Sequence, residues 1–332
     1  MNRRDAVLVL CALGAAPRII SAQQMQKTYR VGWILNTAPT AEIVGPESKN
    51  FGVRIMLREL RTFDYVEGKN LILDRVSAEG HPERYPEIAA ELVRRKSDVI
   101  IVPGSEAAVA TKKATVTVPI VMATVLEPVK YGLVASLARP GGNFTGLAAD
   151  ATPETEGKRL EYLRTLMPGL SRVSYLASKW IWEGPFGEAI RLAAPALGIQ
   201  LLFAEHSPAD LKATFAKIAD QRPNALLIAN SPDVFSQRQQ IINFALKARL
   251  PALYPYAEMA DAGGLMSYGW NLEHLYHQVV GYVDKILKGA KPGELPVEQP
   301  TVYELVINLK TARAIGITIP PSILIRADRV IE

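Results

Sequence analysis

From Tyr29 onward, short apolar runs rich in β-branched residues alternate with segments whose apolar positions recur at helical spacing. That alternation predicts parallel sheets covered on both faces by helices. In the first half the runs YRVGWILN, NLILDRVSAE, DVIIVPG and PIVMAT read as strands. The helix over 82–96 shows the logic: Pro82 suits a first helical position, and Ile88, Leu92 and Val93 form one stripe. Arg94, Arg95 and Lys96 complement the negative end of its dipole. It reads as a docking helix with no site on it.

After Gly146 the same grammar restarts. Thr152-Pro153 caps a helix running through Met167, and RVSYLAS, IQLLFAE, ALLIANS and PALYPYA read as strands. Ser207-Pro208-Ala209-Asp210 has capping-box form, and Ser231-Pro232 places a serine cap before proline. Two successive units of this kind predict two α/β lobes, joined near 145–150. The tail offers one more strand, GGLMSYGW, a helix over Leu272 to Leu287, and then extended chain and a short helix. These pieces are too few for a third core. They are expected to complete the two lobes, with about three crossings between them.

Length agrees, since single cores stop growing beyond about 250 residues and this chain has 332. The 48% hydrophobic and 21% charged fractions are those of an ordinary globular protein. The net charge of +5 carries little information: Arg3, Arg4 and Arg18 against Asp5 supply +2 of it, leaving +3 beyond residue 22. With no dense Lys/Arg run, no nucleic-acid partner is expected.

The first residues, MNRRDAVLVLCALGAAPRIISAQQ, have a basic head, an apolar stretch from Ala6 to Ala16 and a small-residue end at Ser21-Ala22. This is the layout of a secretory signal over 1–22, cleaved near Ala22, and it implies a periplasmic protein. Arg3-Arg4 hints at the twin-arginine route. The competing reading is a buried N-terminal helix. Cys11, the only cysteine, would be discarded with the leader, leaving no thiolate nucleophile or Cys-ligated metal.

No dinucleotide, P-loop, nucleophile-elbow or zincin motif is present. The Gly pair in RPGGNFTG (139–146) lacks the lysine and following helix of a phosphate loop, and reads as a turn. His274 and His277 stand i, i+3 without a third ligand group. His206 precedes a helix cap, and Glu205 beside it points to the opposite strand face. Neither a metal nor a cofactor is expected.

The strand ends are more informative, because ligands of parallel α/β lobes collect at carboxyl ends of strands, where helix N-termini offer free amides. Here these ends carry Asn36, Ser105, Glu106, Thr124, Asn230, Tyr254 and Tyr268. Ser105 opens the helix EAAVATKKA, as a plain cap or as a carboxylate ligand. Trp180, Trp182, Tyr254, Tyr256, Tyr268 and Trp270 also fall at or just beyond strand ends, as core residues or as aromatic walls for a flat ligand.

Several stretches carry a resemblance: FDYVEGKNLILDRVSAEG, VASLARPGGNFTG, AGGLMSYG, ILKGAKPGELPVEQPTVYELVINLKTARAIG and IPPSILIRADRVIE. In this order they resemble the substrate-binding proteins of ABC uptake systems, in the family that includes the tryptophan-binding protein. The resemblance implies a type 1 periplasmic-binding fold with two Rossmann-like lobes and three crossovers. The lobes would be 27–147 plus 268–300 and 148–267 plus 301–332, closing about hinges near Gly146, Ser267 and Thr301. It also implies a monomer without catalytic residues that delivers a small carboxylate-bearing ligand, aromatic amino acid or aromatic acid, to an inner-membrane ABC permease. The family's cleft loops fall on Asn36, Ser105, Glu106, Thr124, Asn230 and Tyr268, and Trp182 and Tyr254 join them from the aromatic rim. The departure is SKWIWEGPFGE, where many relatives have an Asn/Pro-rich loop. Two rivals stand beside this reading. An effector-binding regulator of the same fold would need an N-terminal helix-turn-helix, and a two-lobed hydrolase would use His206 or a cleft carboxylate.

Overall fold

The computed structural model describes residues 27–45, 47–149, 154–207 and 210–332. The leader reading, Cys11 and the Thr152-Pro153 cap lie outside them. No helix among the described residues is long and apolar enough to cross a membrane.

The first lobe is built from β1 (Tyr29–Leu35), α1 (Thr40–Ile43), α2 (Phe51–Thr62), β2 (Leu71–Ser77), α3 (Tyr85–Arg94), β3 (Val99–Val102), α4 (Ser105–Ala114), β4 (Ile120–Val125) and β5 (Phe144–Ala148). Its five strands are parallel in the order β2-β1-β3-β4-β5. Every residue of β3 is buried, which is why VIIV reads as a continuous apolar run, and β5 is buried throughout as well, Thr145 included.

The second lobe holds α5 (Glu154–Leu166), β6 (Arg172–Ala177), α6 (Lys179–Glu183), α7 (Pro185–Ala196), β7 (Gln200–Glu205), α8 (Leu211–Gln221), β8 (Ala225–Ile228), α9 (Pro232–Ser236), α10 (Arg238–Lys247), β9 (Ala252–Tyr254), α11 (Ala257–Asp261) and β10 (Met266–Trp270). The chain then makes α12 (Leu272–Leu287), β11 (Tyr303–Asn308), α13 (Leu309–Ile315), α14 (Pro321–Leu324) and β12 (Arg329–Ile331). The second sheet runs β12-β11-β10-β9-β8-β6-β7, and only β10 and β11 pair antiparallel.

The tail serves both lobes. Helix α12 packs on α2, β3, β4 and β5 of the first lobe, whereas β11 and β12 extend the second sheet. The chain therefore crosses after β5, after β10 and before β11. Residues 268–270, assigned to the first lobe by the sequence, belong to β10 and so to the second sheet. Two of the three expected hinge positions lie inside strands: Gly146 in β5, and Ser267, fully buried, in β10 against Tyr254 and Val306. Thr301 is exposed in the returning segment before β11.

Local differences have local causes. The expected helix at 82–96 is a 3-10 turn over Pro82–Arg84 followed by α3, and Pro86 lies in α3's first turn, where a missing N–H costs nothing. Helix α8 is capped by Asp210, which accepts from the Ala213 amide at 2.9 Å, rather than by Ser207. RPGGNFTG turns the chain before Phe144 to Gly146 open β5, and the tail docks against it: the Gly141 amide donates to the Gly293 carbonyl at 3.1 Å, and Thr145 Oγ1 donates to the Leu295 carbonyl at 2.7 Å. Gly146 has φ +117°, and a Cβ there would fall 2.4 Å from the Met122 carbonyl oxygen.

Candidate functional site

The carboxyl ends of strands from both sheets open onto one cavity of about 370 Å³. From the first lobe come Asn36 and Thr37 after β1, Tyr85 at the start of α3, Gly104 to Ala107 after β3, and Thr124 on β4. From the second come Ser178, Trp180, Ile181 and Phe186 after β6, Asn230 and Ser231 after β8, Tyr256 after β9, and Trp270 at the end of β10. Five of the eight expected ligand contacts are thus brought together, Asn36, Ser105, Glu106, Thr124 and Asn230, and with them Trp180, Tyr256 and Trp270 of the strand-end aromatics.

The polar groups are arranged alike in the two lobes. Tyr85 donates its hydroxyl to Asn36 Oδ1 at 2.8 Å, and Tyr256 donates to Asn230 Oδ1. Each tyrosine occupies one acceptor site of the asparagine oxygen and leaves the amide NH2 to donate elsewhere. Burial pushes the Tyr256 phenol upward, so it stays a neutral donor. The Ser105 hydroxyl is not available to a ligand: it donates to the Leu126 carbonyl at 3.0 Å and accepts from the Leu126 amide at 3.1 Å. What this segment offers is backbone. Gly104 is the N-cap residue of α4 and brings no side chain, and the first-turn amides of α4 lack intrahelical acceptors at the positive end of its dipole. Glu106, exposed, is the only charged side chain lining the cavity among the described residues. Tyr85, Trp180, Phe186, Tyr256 and Trp270 add aromatic surface to walls that are otherwise small, polar or aliphatic.

Three expected contacts lie elsewhere. Trp182 stacks on Phe203 at 4.7 Å and 12°, with the Arg191 guanidinium 4.7 Å from its ring centre. Two helical residues amount to about 200° of turn, so Trp180 faces the cavity and Trp182 the lobe's flank. Tyr254 is buried within β9 and packs against Gly264, while Tyr256, past the strand end, reaches the ligand side. Tyr268 sits between the rings of Tyr162 and Tyr303, at 5.0 and 5.7 Å. Tyr85 and Phe186 escaped the sequence reading. The signal for Tyr85 was its place at the start of the helix that follows β2, in a segment read only as a docking helix.

The rival chemistries find other surroundings. His206 bonds Gln237 Oε1 at 2.8 Å and does not line the cavity. His277 pairs with Glu59 at 3.0 Å, and among the described residues no group of three His, Cys, Asp or Glu is placed to hold a metal.

Comparison with known proteins agrees with this architecture. Residues 42–331 match the family of ABC transporter substrate binding proteins. The chain is 24% identical over 265 residues to a tyrosine-binding protein of Clostridioides difficile (strain R20291), covering 78% of this chain and 74% of that protein. Among solved structures, a conserved domain protein from Vibrio cholerae O1 biovar eltor strain N16961 is similar at 28% identity and TM-score 0.78, over 92% of this chain and all of the other. An ABC domain from Streptococcus pneumonia in complex with L-Trp is similar at 21% identity and TM-score 0.76, with the same coverage. The chain therefore belongs to the ABC transporter substrate-binding protein family, with the two-lobed type 1 periplasmic-binding fold.

Proposed function

We propose that the protein is the exported receptor of an ABC uptake system, binding an aromatic amino acid between its lobes and handing it unaltered to a membrane permease. The cavity carries this reading: aromatic rings from both lobes surround neutral donors and a single carboxylate, Glu106, with no Lys, Arg or His lining it among the described residues. An aromatic carboxylic acid alone would bring a second negative charge to Glu106. An amino acid can place its carboxylate on the α4 amides and its ammonium by Glu106, both served by one helical turn. The tyrosine-binding relative and the L-Trp-bound neighbour point the same way. The leader over 1–22 supports export to the periplasm, and the crossings after β5, after β10 and before β11 are the natural hinges for lobe closure.

The test is a thermal-shift screen of the mature protein with L-Trp, L-Tyr, L-Phe, L-Leu and benzoate. A ligand that binds only the folded state at about 100 times its Kd adds about 2.7 kcal/mol, so an aromatic amino acid should raise Tm by several degrees. Mass spectrometry should recover it intact, and the periplasmic protein should begin near Gln23. Stabilisation by benzoate and not by the amino acids would sink the ligand class. A converted ligand would favour the hydrolase reading, and a cytoplasmic protein with an intact N-terminus the regulator.

A further inference from the structure

Behind the cavity lies a buried ion pair that the binding site does not touch. Arg159 and Glu156, both on α5, are 2% and 1% exposed. Arg159 Nη1 donates to both Glu156 carboxylate oxygens, at 2.9 and 3.0 Å. Its Nη2 donates to two main-chain carbonyls on neighbouring strands, Ile228 of β8 and, at 3.3 Å, Leu253 of β9. Those carbonyls stand at the strand ends from which Asn230 and Tyr256 enter the cavity, two and three residues further on. A second, small cavity is lined by Glu156 and Arg159 together with Asn230 and Trp270, which also line the larger one. Asn230 and Trp270 therefore separate the ion pair from the ligand space.

Burying two charges where apolar side chains would fit is a poor source of stability, because desolvation consumes most of the Coulombic gain. The planar guanidinium does, however, something a methylene stem cannot: with one nitrogen anchored to the carboxylate, the other reaches two carbonyls at a fixed spacing. We propose that Arg159, held by Glu156, is a positioning residue that sets the spacing of the β8 and β9 ends and so the register of the Tyr256–Asn230 pair against the ligand. This rests on the receptor reading above. It goes beyond it in assigning affinity to groups with no ligand contact.

The test compares the wild type with Arg159→Lys and with the double variant Glu156→Leu/Arg159→Met. The probe is whichever of L-Trp and L-Tyr the wild type binds, followed by calorimetry, with Tm and amide hydrogen exchange in the free proteins. The apolar double variant should still unfold cooperatively, at a Tm lowered by the two carbonyls that lose their Arg159 donor, and bind at least about tenfold more weakly as preorganisation is lost. Arg159→Lys keeps the charge and loses the fork, and should show the same loss. In both, exchange should accelerate at 229–231 and 255–257 while the rest of the second lobe stays protected. Affinities within about twofold of wild type in a folded variant overturn the proposal. Should the double variant fail to fold, Arg159→Lys decides alone. Should the wild type bind neither amino acid, the ligand reading fails, and exchange unchanged at those two segments overturns the positioning role independently.

Discussion

Tyr256 donates its hydroxyl to the side-chain Oδ1 of Asn230, and both side chains lie on the wall of the same cavity. Each comes from a different strand end, so one hydrogen bond joins two segments that the backbone delivers separately. Tyr256→Phe removes only the oxygen and leaves Asn230 free to rotate its amide. A lost hydrogen bond of this kind is worth about 1 to 2 kcal/mol. Affinity for the amino-acid ligand should drop about 5- to 30-fold in calorimetry, with a smaller change in Tm.

The two tryptophans of α6 separate binding from folding. Trp180 is 50% exposed on the cavity wall, so Trp180→Ala should leave stability within about 0.5 kcal/mol and weaken binding about tenfold or more. Trp182→Ala should do the opposite. It removes a stack on Phe203 and a cation–π contact with Arg191, and should cost about 1 to 3 kcal/mol in denaturant unfolding with affinity little changed. Equal binding losses in the two variants would contradict the orientation of α6.

Stability should depend on pH through Glu258. Burial, aided by the nearby negative charges of Glu304 and Asp261 and opposed by Arg329, pushes its carboxyl up to about 7. The folded state thus holds this proton more tightly than the unfolded chain. The resulting stability is fully present below about pH 4.5 and is lost as pH rises through about 7. On the order of 3 kcal/mol is at stake. Glu258→Gln should flatten the Tm profile over this window and be more stable than the wild type at pH 8. An unchanged slope would show that other groups govern it.

Gly146→Ala should be severely destabilising. The residue combines φ +117° with an approach of 2.4 Å between a would-be Cβ and the Met122 carbonyl oxygen, so both backbone strain and a clash follow. A loss above about 3 kcal/mol is expected. At Gly142 no atom lies within 4 Å of a would-be Cβ, so Gly142→Ala should be tolerated.

Much of this was legible in the chain. Strands such as Val99–Val102 announce themselves because burial on both faces demands uninterrupted apolar residues. Asn36, Ser105, Glu106, Thr124 and Asn230 could be placed on the ligand side because parallel sheets present one edge to ligands. Which aromatic ring faces that edge was not legible. Trp180 against Trp182 is decided by the phase of one short helix, and Tyr254 against Tyr256 by where β9 stops. Neither leaves a compositional trace. The Arg159–Glu156 pair was hidden for a different reason: at i, i+3 it looks like an ordinary solvated helix pair, and only tertiary packing buries it.

The division of the tail between the lobes has a consequence for the order in which the molecule can be completed. During synthesis the strands of the first sheet are all available once Ala148 has emerged, but α12, which covers them, lies more than a hundred residues later. The second sheet waits longer still, since β10 lacks its antiparallel neighbour β11 until Asn308. Such late, long-range closure makes folding slow. A piece ending at the first crossing would lack the helix that covers β3, β4 and β5, and the nascent chain keeps that apolar flank of the first sheet unfinished until α12 has been made.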